Sequence, residues 1–200
     1  MSDSRAQIFA NLRAVLPESA PLPDLPATGP WQTFDDPFSR FCEVLETVGG
    51  VCQRVANIAE ANAELNEVEE WQNAKTRISV VDGLGEPTVD LDSIDDPHDL
   101  ENVDYAVLRG HFGVAENGAI WVTDDTVRHR VLYFIPQRLV LVIPADFVNN
   151  MHEAYARIDI GKHEFAGFIS GPSKTADIEQ SLVIGAHGAR SLIVFAVEDM

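Results

Sequence analysis

The feature that most constrains the fold is a short apolar run at residues 140–143, Val-Leu-Val-Ile, which contains no polar side chain. A strand with one face in water alternates polar and apolar residues, whereas a wholly apolar strand is typical of a sheet covered on both faces. Parallel sheets are covered in this way because the helices of their crossover connections pack on them. The run therefore predicts a strand at the centre of a buried, mainly parallel sheet.

Strand and helix patterns alternate along the rest of the chain. Residues 57–71 have the spacing of an acidic helix and lie between predicted strands at 51–55 and 76–81, which implies a parallel pair joined by a crossover. Further strands are predicted at 105–108, 119–123, 165–169 and 192–197, and further helices at 38–48, at 147–158 and from Thr175 onward. Together the patterns predict an α/β fold, a mainly parallel open sheet with helices on both faces.

The beginning of the chain differs in composition from the remainder. Apolar residues recur at helical spacing in residues 4–16, which predicts a short amphipathic helix. Residues 17–37 contain six prolines and no steady periodicity, as in an extended linker, and we expect Trp31 to dock this linker on the body of the protein. We therefore divide the chain into an N-terminal helix with a Pro-rich extension, residues 1–37, and a single α/β domain, residues 38–200.

The net charge of −18 limits the classes of partner. Residues 1–100 hold 19 acidic and 6 basic side chains, and residues 101–200 hold 13 and 8. Such a surface repels nucleic acids and anionic membranes, so we expect neither as a partner. No apolar run approaches the roughly 20 residues that span a bilayer, and the polar N-terminus lacks the apolar core of a secretory signal. We therefore expect a cytoplasmic protein.

The cysteines and histidines form no sequence motif for metals or redox chemistry. Cys42 and Cys52 belong to neither a metal-type nor a redox-type pair, and we expect both to act as small buried hydrophobic residues. The six histidines show no zinc-type spacing, and the glycine-rich turns match neither a P-loop nor a dinucleotide fingerprint. We therefore expect no metal and no cofactor in this chain.

Residues 170–188 form the most distinctive segment of the sequence. The apolar run at 165–169 enters it like a buried strand, breaks at Gly171-Pro172 and restarts at Thr175 with helical spacing. Thr175 is a favourable helix N-cap, and two acidic residues follow where the helix dipole favours negative charge. These residues are Asp177 and Glu179. A small-residue turn at a helix N-terminus exposes N–H groups that bind phosphates and carboxylates, so the segment predicts an anion site.

Glu116 stands in a tight turn between two apolar segments. An ionisable side chain in such a setting is costly unless it is paired or functional. The following Asn117-Gly118 favours positive backbone dihedral angles, so the turn can direct the carboxylate away from the end of the sheet. Glu116 is therefore a candidate general base, nucleophile or acceptor for a ligand hydroxyl. The alternative is a hairpin turn whose glutamate caps a backbone N–H group.

Three short motifs together resemble the LUD domain family, which includes lactate utilization protein C. They are Ala115-Glu116-x-Gly118, Gly-Pro-Ser-Lys-Thr-Ala-Asp-Ile-Glu at residues 171–179, and Gly185-x-His187-Gly188. The resemblance covers residues 100–198 well, and the front half agrees in its order of elements. It implies the α/β architecture of the NagB/RpiA/CoA transferase-like proteins.

The resemblance also implies a function. It implies a role beside iron–sulfur oxidoreductase subunits in the oxidation of L-lactate to pyruvate, with the clusters on those partners because this chain has no cysteine set for one. Asn117 and Ala119 occupy positions where the family usually has threonine. Ala189 follows His187-Gly188, where the family often has a proline. The triplet Glu116-Asn117-Gly118 instead resembles the glutamate turn of class I CoA transferases, whose glutamate attacks an acyl thioester.

We expect these segments to meet at one edge of the sheet, where open α/β folds bind ligands, and to form a pocket for a small carboxylate or phosphate. The candidate catalytic residues are Glu116 and His187, the candidate anion-binding residues are Gly171, Ser173, Lys174, Thr175, Arg109 and Arg138, and Asp177 and Glu179 are expected to stabilise the helix start. The alternatives are that the nearby arginines, which also include Arg128 and Arg130, pair with acids such as Asp124 and Asp125, that His187 is structural and that Lys174 is solvated.

Three functions remain open at this point. The first is an accessory protein of L-lactate oxidation that binds a small anionic metabolite and acts with iron–sulfur subunits. The second is an independent CoA-transferase-like enzyme that uses Glu116, and the third is a ligand-binding or regulatory module without turnover. We also consider a homodimer, because α/β domains with exposed apolar linkers, such as the one bearing Trp31, commonly dimerise.

Overall fold

The computed structural model describes residues 2–18, 20–21, 29–176 and 182–200. Its central element is a five-stranded sheet in which all neighbouring strands are parallel. In spatial order the strands are β1 (Gly50–Val55), β11 (Ser191–Val197), β6 (Arg138–Pro144), β3 (Tyr105–Arg109) and β2 (Arg77–Ser79). The apolar run at residues 140–143 lies in the middle strand and is fully buried, which confirms the mainly parallel sheet predicted from it.

Helices cover both faces of this sheet, as predicted. On one face α2 (Pro37–Thr47) buries Leu45 completely. On the other face lie α3 (Ile58–Asn66) and α4 (Glu69–Gln72), and Trp71 is buried beneath them. The sheet is therefore enclosed between two apolar cores, one on each side.

Short polar side chains fix where the helices begin. The Asp36 carboxylate accepts a hydrogen bond from the Ser39 N–H group at 3.1 Å, immediately before α2. Asn150 does the same for the Glu153 N–H group at 3.0 Å, at the start of α5 (Met151–Arg157). Each cap satisfies one backbone donor that the helix itself leaves without a partner.

The predicted pairing of the first two strands of the sheet is wrong. β1 pairs with β11 and β2 pairs with β3, so these two strands occupy opposite edges of the sheet. The three places between them are filled by strands that come later in the chain. Local order indicated that β1 and β2 run parallel, but it could not indicate which strands lie between them.

A second sheet packs beside the first and was not predicted. It contains β4 (Gly113–Val114), β5 (Ala119–Thr123), β7 (Phe147–Val148) and β8 (Ala166–Ile169), in the order β7-β4-β5-β8. β4 and β5 form an antiparallel hairpin, and β8 pairs antiparallel with β5. The helix predicted from residue 147 begins only at Met151, because Phe147 and Val148 pair with β4 as a strand and Asn150 is the helix N-cap.

The N-terminal helix is confirmed as α1 (Ser2–Ala14), but its apolar side chains Ile8 and Leu12 are exposed. Trp31 docks on the body as expected, because its ring stacks on His152 with the centroids 3.7 Å apart. Among the described residues, none of the helices has the length and apolar character needed to cross a membrane.

Candidate functional site

Three turns meet beside the C-terminal half of α2, and we call them the turn cluster: residues 116–118, 170–175 and 185–190. The first two turns are joined by a hydrogen bond of 2.7 Å, which the Ser170 hydroxyl donates to the Asn117 carbonyl oxygen. These turns meet as expected from the sequence, but they lie at the amino ends of β1 and β11 and not at the carboxyl edge where open α/β folds bind ligands.

The second and third turns are joined through Ser173. Its N–H group donates to the Ala189 carbonyl oxygen at 2.8 Å, and its carbonyl oxygen accepts from the Gly185 N–H group at 2.9 Å. A Cβ atom placed on Gly188 would lie 3.0 Å from the Ser173 Cβ, so the two backbones touch. His187 lies in this loop between the two glycines, and its side chain is exposed.

Glycines allow the turn cluster to pack directly on α2. Gly118 and Gly171 both have positive φ angles, 64° and 75°. A Cβ atom on Gly118 would lie 3.1 Å from the Leu45 nitrogen, and one on Gly171 would lie 3.0 Å from the Val48 oxygen. A larger residue would therefore be strained in its backbone and would also collide with α2.

The helix predicted from Thr175 is wrong at its first residues. Lys174–Ala176 forms a strand, β9, which pairs antiparallel with β10 (Leu182–Ile184). Thr175 is therefore not a helix N-cap, and the expected anion site of helix N–H groups is not formed at this residue. Asp177 and Glu179, expected to stabilise the helix start, lie outside the described residues.

The Glu116 carboxylate is exposed and points to the start of α5. It accepts a hydrogen bond of 2.9 Å from the Met151 N–H group, and the Glu116 N–H group donates to the Asn149 carbonyl oxygen at 3.0 Å. The glutamate thus caps a backbone N–H group, as in the second of the two interpretations of this turn. One carboxylate oxygen has this partner in the protein.

The basic side chains of the turn cluster are exposed and have no acidic partner among the described residues. Lys174, Arg190 and His187 take part in none of the ion pairs that the described chain forms. Sequence reasoning singled out Lys174 and His187 but missed Arg190, which folds back so that a Cβ atom on Gly185 would lie 3.2 Å from its Cα. The described part of the turn cluster thus carries three basic side chains in a chain of net charge −18.

Arg109 and Arg138 do not join the turn cluster. Side chains alternate between the faces of a strand, and both arginines share the face of Tyr105, which is opposite to the face that α2 covers. The Arg138 guanidinium lies over the Tyr105 ring at 5.7 Å and lines a hollow of about 500 Å³ with Glu70 and Asp104. Arg109 lies at the other end of the sheet, at the carboxyl end of β3.

A second polar region lies where β3 and β6 end, and we call it the carboxyl-edge cleft. It has a volume of about 360 Å³ and an apolar floor that includes Phe112 and Trp121. Its polar lining includes His111, Asp125, Asp146, Arg157, Lys162 and His163. Carboxyl ends of parallel strands are the usual place for ligands in open α/β sheets.

A buried hydroxyl orients His111 in this cleft. The Thr123 side chain is fully buried and donates a short hydrogen bond to the Asp125 carboxylate. Since a hydroxyl has one proton, the hydrogen between Thr123 and His111 belongs to the His111 Nε2 atom, 2.6 Å from the Thr123 oxygen. The Nδ1 atom of His111 is therefore the ring nitrogen left for a ligand.

The other basic groups of the carboxyl-edge cleft already have acidic partners. Arg157 contacts Asp146 at 2.7 Å, and Lys162 contacts Asp159 at 3.5 Å. Because each cation faces a carboxylate of the same protein, the cleft attracts a free anion less than the turn cluster does. Within the described part of the chain, no group of three or more His, Cys, Asp or Glu side chains is arranged to hold a metal ion.

The alternative that arginines pair with local acids is confirmed for one of the expected acids. Arg130 contacts Asp124 at 3.5 Å and also Glu164, while Arg128 contacts Asp95 at 3.4 Å. Arg130 and Asp124 are close in the sequence, whereas the pairs with Glu164 and Asp95 join segments more than 30 residues apart, which no spacing rule could have found.

The sequence of the chain matches the LUD domain profile over residues 38–197. It is 27% identical over 139 residues to lactate utilization protein C of Geobacillus thermodenitrificans, which covers 66% of this chain and 55% of that protein. It is 31% identical to the protein of the same name from Bacillus pumilus, over 50% of this chain and 44% of that protein. With the protein of that name from Shouchella clausii the identity is 30%, over 68% of each chain.

The chain thus spans about half the length of the first two of these relatives. Among solved structures, a DUF162 family protein from Deinococcus radiodurans has a similar fold, with a TM-score of 0.56 and 18% identity, over 80% of this chain and 96% of that one. The family profile covers most of the sequence, including all three motifs of the turn cluster. The chain therefore belongs to the LUD domain family.

Proposed function

We propose that this chain serves lactate utilization as an accessory component that binds a small anionic metabolite at the turn cluster. In this proposal the electron carriers reside on iron–sulfur oxidoreductase subunits that act beside it. The role comes from the names of the relatives, several of which are called lactate utilization protein C. The place of binding comes from the geometry of this chain.

The observation that carries the binding proposal is the difference in pairing between the two polar regions. Lys174, Arg190 and His187 are exposed on turns joined by backbone hydrogen bonds and have no acidic partners in the described chain, whereas the cations of the carboxyl-edge cleft are paired. A carboxylate that meets an unpaired ammonium or guanidinium forms charge-assisted hydrogen bonds, which are stronger than neutral ones. A small carboxylate such as L-lactate or pyruvate suits this chemistry.

Calorimetric titration with L-lactate, pyruvate and inorganic phosphate tests the binding site. We expect Lys174→Gln to weaken carboxylate binding by about tenfold, since a hydrogen bond to a charged group contributes roughly 1.5–3 kcal/mol. The matched control is Lys162→Gln in the carboxyl-edge cleft, which should leave the affinity unchanged. Equal losses in the two variants, or no binding of any of the three anions, would contradict the proposed site.

The accessory role is tested separately in cells. A strain that lacks the gene should grow poorly on L-lactate as the sole carbon source and recover when the gene is returned. The tagged protein should also co-purify with iron–sulfur subunits from lactate-grown cells. Normal growth on L-lactate without the gene would refute the role even if the anion site were confirmed.

Glu116 separates this proposal from a CoA-transferase-like enzyme. Its carboxylate caps α5, and a glutamine can still accept the hydrogen bond from the Met151 N–H group through its carbonyl oxygen. We therefore expect Glu116→Gln to fold normally and to support growth on L-lactate. A glutamyl adduct after incubation with an acyl-CoA, seen by mass spectrometry and lost in Glu116→Gln, would instead favour the enzyme.

A further inference from the structure

The fold brings the two cysteines of this chain together. Cys42 lies on α2 and Cys52 lies on β1, and the two thiols are near enough for each to shift the pKa of the other. Both are free thiols, both are half-buried, and both pack against the same apolar core. Both side chains pack against the apolar core, as the sequence predicts for small hydrophobic residues, and the tertiary structure adds that they lie on neighbouring elements.

The connection between α2 and β1 explains why the thiols meet. The helix ends at Thr47, and the chain reverses at Gly49, whose φ angle is 88°, so that β1 runs back along the helix. A Cβ atom on Gly50 would lie 2.8 Å from the Leu45 Cγ atom, so the helix and the strand approach each other unusually closely. Farther along the same helix and strand, the Arg54 guanidinium lies over the Phe38 ring at 4.8 Å, and Cys42 and Cys52 are neighbours between these two contacts.

We propose that Cys42 and Cys52 form a reversible intramolecular disulfide when the protein meets a hydroperoxide. The site is distinct from the turn cluster and from the carboxyl-edge cleft. Because α2 packs directly on β1 and both cysteines lie against the same core, closing the sulfurs to the roughly 2.0 Å of a disulfide bond draws α2 toward β1.

The surroundings give the two thiols different tasks. The hydrogen bond from Cys52 lowers the pKa of the Cys42 thiol, which favours its thiolate. The same hydrogen bond, together with burial, raises the pKa of the Cys52 thiol. The thiolate is the form that attacks peroxides, so Cys42 reacts first and Cys52 resolves the product.

The reaction balances in two steps. The Cys42 thiolate attacks one oxygen of hydrogen peroxide, the O–O bond breaks, and a sulfenic acid forms on Cys42 while hydroxide leaves and takes up a proton to become water. The Cys52 sulfur then attacks the Cys42 sulfur, the S–O bond breaks, and the hydroxyl group leaves as a second water with the Cys52 proton. The two thiols lose two electrons and two protons, and hydrogen peroxide is reduced to two waters.

The disulfide affects the helix on which the turn cluster rests. Gly118 packs on Leu45 and Gly171 packs on Val48, one turn and two turns along α2 from Cys42. A shift of α2 toward β1 therefore changes the position of the helix surface on which these two turns pack. The thiol pair thus links the redox state of the chain to the region with the unpaired cations.

Peptide mapping tests the proposal directly. Cleavage after Arg40 and Arg54 releases one peptide, residues 41–54, which contains both cysteines, and a second cleavage after Glu46 separates them. After stoichiometric hydrogen peroxide we expect this peptide to lose the mass of two hydrogen atoms and to stay joined after cleavage at Glu46. Dithiothreitol should restore both thiols.

Single variants test the two tasks. In Cys52→Ser the Cys42 sulfenic acid should persist and be trapped by dimedone, because the resolving thiol is missing. In Cys42→Ser the remaining thiol should react with peroxide at least about tenfold more slowly. Sulfinic acid without a cross-link in the wild-type protein, or disulfides only between chains on a non-reducing gel, would overturn the proposal. Equal peroxide rates in the two variants would overturn the assignment of the attacking thiol.

Discussion

The turn cluster and the carboxyl-edge cleft hold their polar groups in place by different means. In the turn cluster, glycine backbones pack on α2, and Ser173 joins two loops through its own N–H and carbonyl groups. In the carboxyl-edge cleft, contacts between side chains hold the polar groups in place, and the buried hydroxyl of Thr123 connects His111 to Asp125. Hydrogen bonds between backbone groups involve no charged side chain. The cations of the turn cluster therefore have no acidic partner among the described residues and can bind a ligand. Contacts between charged side chains neutralise the same charges that they hold in place. The charged groups of the carboxyl-edge cleft are therefore mostly paired within the protein.

The sharpest test of this comparison is a methyl group added to the backbone of the turn cluster. Gly171→Ala should lower the free energy of unfolding by roughly 2–4 kcal/mol, because alanine is strained at a φ angle of 75° and would collide with Val48. Gly167 in β8 is the matched control, since a Cβ atom there would have no neighbour within 4 Å. Urea unfolding should show a change within about 0.5 kcal/mol for Gly167→Ala. Similar losses in both variants would mean that the close packing on α2 is not what holds the turn.

The next test removes a hydroxyl from each region. Thr123→Val should cost about 1–3 kcal/mol, because Asp125 and His111 both lose the partner that orients them. Thr175→Val should cost less than about 0.5 kcal/mol, since the Thr175 hydroxyl makes only a long contact of 3.5 Å to the Val183 carbonyl oxygen. Nitrogen NMR of His111 should show loss of the fixed Nε2–H tautomer in Thr123→Val. A preserved tautomer would show that something other than Thr123 orients the ring.

The smallest expected effect is a difference between the two regions in how their stability depends on pH. Burial raises the pKa of the Tyr133 hydroxyl, which lies 3.1 Å from the Thr123 carbonyl oxygen beneath the cleft. Because the folded pKa exceeds the unfolded value of about 10, the stabilisation is complete below pH 10 and is lost as the pH rises through the folded pKa. The described turn cluster contains no tyrosine, so amide exchange between pH 9 and 11 should accelerate at Thr123 before it accelerates at Ser173.

Tyr133→Phe serves as the control for that experiment. This variant should flatten the alkaline loss of stability, although Tyr105, whose pKa burial raises to about 12, will still contribute above pH 10. An unchanged alkaline slope in Tyr133→Phe would place the titrating group elsewhere and would remove this distinction between the two regions.

Much of the fold is readable from particular residues. The run at 140–143 identifies the central strand, and the glycines after residue 47 identify the end of α2, because each pattern reflects burial or backbone freedom at its own position. The grouping of Glu116 with residues 171–175 and His187 followed from family resemblance. The sheet face on which Arg109 and Arg138 lie could not be predicted in this way, because the register of the strands determines it.

Two further features that the sequence did not predict also depend on contacts between separate segments of the chain. Thr175 has good local signals for a helix N-cap, yet its backbone pairs with residues 182–184, and a β-branched residue accepts that strand readily. Cys42 and Cys52 carry no sequence signal as a pair, yet the reversal of the chain at Gly49 places both against the same core on neighbouring elements.

The sequence by itself determined the α/β class, the buried central strand and the glycines of the turn cluster, because local burial and backbone freedom are properties of single segments. The tertiary structure alone decided which strands are neighbours, that residues 174–176 form a strand, and that Thr123, His111 and Asp125 form one connected group. It also decided which cations find acidic partners. These outcomes depend on contacts between segments distant in the chain, whose energies exceed the local preferences on which sequence reasoning relies.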